Sequence, residues 1–302
     1  MTMTDLQLIP IFDAHQHFWD TRLNTYPWLC GETIANFRYG DYRAIRQPYQ
    51  PADYRRDTKR FRHAGSVYIE AEWDPRDPLG EMDYIARLRE QDGLPSVAVG
   101  QAWLDRPDLD ATLAGLMRHD FVRGIRHKPR GNAAPGMSEP GGMADAKWRA
   151  GYARLAHYGL HFELQTPWWH LHEAAALAND FPHTRIVLNH TGLPADRSAA
   201  MLAAWREAMA ALAQCPNVHV KISGLGQRGV PWTAQANGWV VRATIELFGP
   251  QRCMFASNFP VDSLCATFDE IYDGFFDIVQ DMSEADRRRL FHDNAVAFYA
   301  PR

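Results

Sequence analysis

Eight short runs rich in β-branched and apolar residues recur along the chain, each followed by a segment of helical periodicity. Such alternation is the mark of repeated βα units around a parallel sheet. The runs are IFDAHQH from Ile11, GSVYIEAE from Gly65, SVAVGQA from Ser96, VRGIRHK from Val122, LHFELQ from Leu160, RIVLNH from Arg185, NVHVKIS from Asn217 and RCMFASN from Arg252. Helices are expected around Ala52–His63, Leu79–Gln91, Asp108–His119, Ala146–Tyr158, Trp169–Asn179, Ala199–Gln214 and Gly238–Phe248, with more helix from Ser263 onward. Eight strands with eight helices make an α/β fold closed as a (β/α)8 TIM barrel the economical reading, with a doubly wound open sheet as the alternative.

No repeat, low-complexity tract or linker divides residues 1–302, so the chain reads as one domain. Two connections exceed what a barrel needs: 19–49 after strand 1, rich in aromatic and turn residues, and 129–145 after strand 4, rich in Gly and Pro. Both follow strands, on the face where barrels keep their active sites, and are expected to cover substrate.

A net charge of −4 without basic clusters argues against nucleic acid as a partner. The opening MTMTDLQL lacks the character of a signal peptide, and no apolar run approaches a membrane span; cytoplasm is the expected location. Cys30, Cys215, Cys253 and Cys265 form no C-x-x-C pair and read as isolated thiols. A homo-oligomer is left open.

Side chains two apart on a strand share a face. This groups Asp13, His15 and His17 on strand 1; Tyr68, Glu70 and Glu72 on strand 2, with Val67, Ile69 and Ala71 turned to the helices; and Arg126 with Lys128 on strand 4. It likewise groups His161, Glu163 and Gln165 on strand 5 and His219, Lys221 and Ser223 on strand 7, while strands 6 and 8 end at His190 and at Ser257 and Asn258. One such residue means little, but many ionisable groups converging on one barrel mouth are costly to bury and mark a site. The H-x-H pair His15 and His17 suits a divalent metal, or equally two imidazoles bonded to carboxylates or substrate.

The motifs FDAHQHFWD with YPWL, PADY at Pro51, VYIEAEWDPRDPLGE, GIRHKP, LNHTGLP, VHVKISGLG, MFASNFPVD and HDNAVAFY span the chain. Together they resemble the amidohydrolase superfamily, in particular its sugar-lactonase-like branch. The resemblance implies a (β/α)8 hydrolase that opens the lactone of a sugar acid, or a similar small carboxylated ring, with activated water. It places His15, His17 and His190 in the site, as the ligands if a metal is present, zinc foremost; some members work without one. It also implies an acid at the end of strand 8 as general base, where this chain has Asn258, whose amide cannot accept a proton at neutral pH. Strand 5 offers Glu163 where metal-dependent relatives carry histidine.

The expected catalytic groups are therefore His190, for proton transfer or the oxyanion; Glu163 or Asp262 as base; and Asn258 in place of the usual acid. Asp262 reads equally as a helix cap. Glu70, Arg126, Lys128 and Lys221 are expected to bind substrate, with Trp28 and Trp169 as ring-stacking candidates beside Trp19, Tyr26 and Trp168. A carbamylated Lys128 holding two metals is disfavoured by Pro129 and by Asn258. Two rival functions share the scaffold: a metal-dependent decarboxylase or amide hydrolase, and a ligand-binding protein that has lost catalysis with its strand-8 acid.

Overall fold

The computed structural model describes residues 9–301. The first eight residues, on which the reading of the leader rests, and Arg302 lie outside it. Eight parallel strands, β1 (Ile11–Gln16), β2 (His63–Ile69), β3 (Val97–Gln101), β4 (Val122–Arg126), β5 (His161–Leu164), β6 (Ile186–Leu188), β7 (Val218–Ile222) and β8 (Cys253–Phe255), pair in chain order. The ring closes where Gln16 bridges Phe259 and where the amides of Ser257, Asn258 and His17 bond to Asp13, His15 and Phe259. The fold is the (β/α)8 barrel, in one domain.

The barrel helices are α1 (Pro51–Thr58), α2 (Gly80–Asp92), α3 (Leu109–Leu116), α4 (Ala146–His157), α5 (Leu171–Asp180), α6 (Ala199–Ala213), α7 (Ala234–Phe248) and α8 (Phe268–Ile278). Their starts are chemically marked. Pro51 opens α1 behind a reciprocal Gln50/Asp53 box, Asp145 caps the amide of Trp148 in α4, Thr233 caps that of Ala236 in α7, and Thr267 with Glu270 boxes α8. Two boundaries differ from expectation. The segment around Ala52–His63 stops being helical at Thr58 so that His63 can open β2, and the helix expected from Gly238 starts at Ala234, behind its Thr233 cap.

Inside the ring, Phe12, Ala14, Val67, Ile69, Val97, Val99, Val187, Met254 and Ala256 form one apolar cluster with Ala295, Phe298 and Tyr299 of the C-terminal helix Asn294–Tyr299, which plugs the N-terminal end of the barrel. The expected faces of β2 are therefore reversed. Val67 and Ile69 fill the interior, while Tyr68 turns outward and its hydroxyl donates to Glu81 of α2 at 2.9 Å. Small barrels must fill their centre with side chains, and branched apolar ones do so at least cost. Asp13 also parts from His15 and His17. The pairing of β1 with β2 shifts register between Asp13 and Gln16, leaving Asp13 to accept from Tyr54 of α1 at 2.8 Å and from the Ser257 hydroxyl at 2.6 Å.

Candidate active site

Above this plug the barrel opens into a cavity of about 370 Å³ at the C-terminal ends of the strands, walled by His17, Glu72, Arg126, Lys128, Gln165, His190 and Asn258 and roofed by Trp28, Ile34, Phe37, Arg38 and Tyr39 of the loop after β1. Trp28 is anchored by its indole N–H, which donates to Ala71 O at 2.9 Å. The long segment 129–145 after β4 contributes nothing to the wall. It lies against the segment after β5 instead, with its Asn132 and Gly141 amides donating to His170 and Glu173 and its Asn132 carbonyl accepting from Trp169. Trp169, expected to stack on substrate, is thus a strut for that loop, and Trp19, Tyr26 and Trp168 are buried packing residues.

Backbone conformation sets this wall apart. Six non-glycine residues among those described have positive φ, and four of them, Glu72 (57°), His190 (54°), Leu193 (59°) and Asn258 (57°), line the cavity. Non-glycine residues in the left-handed region cost of order 1 kcal/mol or more each. That cost concentrates where the chain must turn sharply out of a strand and still aim a side chain into the mouth.

The three histidines gather as expected. The rings of His15 and His17 lie 5.0 Å apart, and those of His15 and His190 4.7 Å apart. Burial, with the charges of Arg126, Lys221 and Arg38 nearby, pushes all three well below the usual imidazole range, His17 to about 3. All three are neutral at pH 7. The carbonyl of Ile69 has no proton to give, so the 2.7 Å contact fixes the hydrogen of His17 on Nδ1 and leaves Nε2 as a lone pair. His190 Nδ1 lies 2.8 Å from the Ser223 hydroxyl, which orients its ring.

Glu163 and Lys221 lie below the cavity floor rather than in its wall. Lys221 Nζ is 2.8 Å from Glu163, and neither side chain has any exposure. Glu163 also accepts from Asn189 and Tyr299, each at 2.5 Å, and faces His161 Nε2 at 3.2 Å. The Lys221 charge and the His161 bond outweigh burial and hold its pKa down at about 2. With its lone pairs spent, Glu163 cannot serve as the expected base, and Lys221, its counter-ion, cannot reach substrate.

Glu70 is likewise withdrawn, buried in an ion pair with the Nε of Arg126. Arg126 also donates to the Glu70 carbonyl and, from Nη1 at 3.0 Å, to Gln165. It remains in the wall as an oriented cation. Lys128 pairs with Glu72 at the rim, so it is not the free lysine a carbamylated centre needs.

Asp262 lies beside Asn258. Its Oδ1 accepts from Asn258 Nδ2 at 2.6 Å and from the Tyr39 hydroxyl at 2.9 Å, and burial raises its pKa to about 6. It ties the loop after β1 to the end of β8 and caps no long helix; the turn that holds it, Val261–Leu264, is a single 3-10 turn. Sequence reasoning missed Arg38 and Tyr39, which sit in a loop with no period to sort faces by. The one available signal was a cation set between aromatic residues, in FRYG.

The family model described as amidohydrolase matches residues 12–300. The chain belongs to the amidohydrolase family. This amidohydrolase is 38% identical over 294 residues to the uncharacterized protein y4mH of Sinorhizobium fredii, covering 96% of the chain and 98% of that protein. It is 28% identical to an L-fucono-1,5-lactonase of Burkholderia multivorans, covering 95% of each. A solved amidohydrolase from the same organism, with bound zinc, superposes with a TM-score of 0.80 at 26% identity, covering 97% of this chain and 99% of that one. The amidohydrolase is a hydrolase, and no helix among its described residues is long and apolar enough to cross a membrane.

The amidohydrolase's donor set can be judged against a metal. Both ring nitrogens of His15 are buried without a hydrogen-bond partner, and three neutral imidazoles are apt nitrogen donors. The set has no carboxylate, because Asn258 is an amide and Glu163 is saturated. Among the described residues no group of three His, Cys, Asp or Glu side chains is drawn together closely enough to hold an ion. By donor type alone the three imidazoles suit a single divalent ion and not a two-metal centre.

Proposed function

We propose that this amidohydrolase opens the lactone of a sugar acid, or a similar small carboxylated ring, to the hydroxy acid. The observation that carries the reading is the neutral His190 at the cavity wall, beside His17 and facing the oriented guanidinium of Arg126. The lactonase relative, similar along the whole chain, supports it.

Hydrolysis of a cyclic ester needs a base for water, a home for the oxyanion and a proton for the departing alkoxide. In the tautomer whose Nδ1–H is donated to Ser223, His190 Nε2 accepts a proton from water as the water oxygen adds to the carbonyl carbon. The carbonyl π electrons move to oxygen, where Arg126 faces them. Collapse breaks the ring C–O bond, and the His190 imidazolium returns its proton to the alkoxide. Asp262 holds Asn258 and Tyr39 in place through its two accepted bonds. Trp28 and Phe37 offer apolar faces to the ring. A divalent ion, where bound, would be held by His15, His17 and His190 and would polarise the ester carbonyl.

A second reading, a metal-dependent decarboxylase or amide hydrolase, is favoured by the unpartnered nitrogens of His15. A pH-indicator screen of purified protein against aldono-lactones, with metal content measured on the same preparation, decides between them. Hydrolysis of a lactone supports the first reading; silence across the panel in metal-loaded protein sinks it in favour of the second.

A further inference from the structure

Past Ile69, the last residue of β2, the chain leaves the barrel's ladder but still carries part of the site's wall. Glu70 N makes the last bond to β3, donating to Val99 O at 2.9 Å. The next two amides bond to carboxyl groups instead. Ala71 N donates to Glu81 Oε1 of α2 at 2.7 Å, and Glu72 N to the Glu70 side chain at 2.8 Å. Buried backbone N–H groups that have lost a strand partner must find such acceptors.

The carbonyls of the same stretch hold cavity side chains. Ile69 O accepts from His17 Nδ1 at 2.7 Å, Glu70 O from Arg126 Nη2, and Ala71 O from the Trp28 indole at 2.9 Å. Three consecutive carbonyls thus hold a histidine of the wall, its oriented cation and the tryptophan of its roof. The Glu70 side chain grips the same Arg126 at Nε.

Glu81 anchors this stretch from outside. It is buried in the first turn of α2, and its Oε1 also accepts from the Tyr68 hydroxyl at 2.9 Å, which ties the carboxyl to β2 on two sides. Its Oε2 is buried with no partner. A carboxyl buried with one oxygen idle is costly as packing, so what this one contributes lies in the two bonds to Oε1. Burial, with the charge of Glu70 nearby, raises its pKa to about 8, so at pH 7 it accepts as a neutral acid and leaves Arg126 to Glu70.

We propose that Glu81, which does not line the cavity, is a positioning residue of the active site: it fixes Ala71 against α2 and, through the carbonyls of residues 69–71, sets where His17, Arg126 and Trp28 point. The inference rests on the lactonase reading only for its kinetic consequence. A shift of about 1 Å in these carbonyls would carry the guanidinium off the oxyanion, and misplacement of that size costs on the order of 10²-fold in rate.

The test separates reach from acidity. Glu81→Gln keeps the length and an accepting oxygen; Glu81→Asp keeps the acid but falls short by one C–C bond, ~1.5 Å. The Trp28 indole N–H resonance, assigned by its loss in Trp28→Phe, and hydrogen exchange at the Ala71 amide are read by heteronuclear NMR on the full chain. Glu81→Asp is expected to shift the resonance and to speed Ala71 exchange by about tenfold or more, while Glu81→Gln leaves both close to the wild type. Tyr68→Phe, which frees the carboxyl of one of its two donors, should move both signals the same way by less, and it carries the test if Glu81→Asp does not fold. Signals unmoved in the folded variants, or moved equally in Glu81→Asp and Glu81→Gln, overturn the proposal, as does a lowered thermal transition with both signals in place. Where a lactone is turned over, kcat should fall by about 10- to 100-fold in Glu81→Asp, with KM changed less, and recover in Glu81→Gln. An equal fall in both variants also overturns it. If no lactone is hydrolysed, the lactonase reading fails by itself and the resonance and exchange measurements still decide the role of Glu81.

Discussion

Glu163 of β5 and Lys221 of β7 meet across the inside of the barrel at 2.8 Å, both fully buried. Such a pair is dear to break, because removing one partner strands the other charge in a medium that cannot solvate it. Lys221→Met is therefore expected to lose about 3–5 kcal/mol of unfolding free energy, and Glu163→Gln with Lys221→Met to regain part of that loss. Urea unfolding checks it. A single variant as stable as the wild type would show that the pair does not hold the barrel together.

The position of Asp262 predicts a pH limb. As a carboxylate it accepts from Asn258 and Tyr39; protonated, it would have a hydrogen to place and would loosen that hold. Its pKa is raised to about 6, so the accepting form prevails above that pH and is lost as pH falls through it. The rate kcat/KM should therefore rise through an apparent pKa near 6, and the limb should vanish in Asp262→Asn. An acid limb that survives the substitution assigns it to another group.

Much of this was legible in the sequence, and the failures have physical causes. The eight runs located all eight strands because the period of each is set by burial, and the strand ends of His17, Arg126, His190 and Asn258 were placed at the mouth because their order along the chain puts them there. What a period cannot give is the partner of a charge. Glu163, Lys221 and Glu70 alternate as site residues do, yet each is consumed by a bond to a residue far along the chain. Period also failed where the backbone leaves the strand, at the shift after Asp13 and at Glu72 with φ 57°. Trp169 was misjudged because an exposed loop and a cavity both use tryptophan, and only the 3.0 Å bond to Asn132 tells which.

Asn258 sits where relatives of this kind were expected to carry an acid, and its amide donates to Asp262 at 2.6 Å. Asn258→Asp would replace that donor with a second carboxylate at the same separation. Asp tolerates the left-handed backbone there, so the fault would be electrostatic alone. The variant should melt lower than the wild type at pH 8 and approach it at pH 5, where one proton can be shared. Equal melting at both pH values would mean that the two side chains move apart. Turnover gained only by this variant, with an inert wild type, would favour the reading in which catalysis has been lost.

His190→Asn removes the group placed to carry the proton while leaving a polar side chain that tolerates φ 54°. Turnover of the substrate is expected to fall by ~10²–10⁴, with KM changed far less, because the imidazole acts on the reacting atoms rather than on binding. An unchanged kcat would remove His190 from the mechanism and leave His17, beside Asn258, as the remaining neutral imidazole in the wall.

Metal dependence follows from the charges around the histidines. Three neutral imidazoles invite a divalent ion, but Arg126, Lys221 and Arg38 bias the same space against a cation, adding to burial in lowering the His15 and His190 pKa values. With no carboxylate among the three donors, affinity should be low, and positive charge for the carbonyl is already offered by Arg126. Dialysis against chelator is expected to strip the protein of zinc while leaving lactone turnover within about twofold and the thermal transition in place. Elemental analysis and rates on the same dialysed sample make the comparison. Loss of turnover restored by zinc alone would instead make His15, His17 and His190 a working metal centre, and Arg126 a group that only orients the substrate.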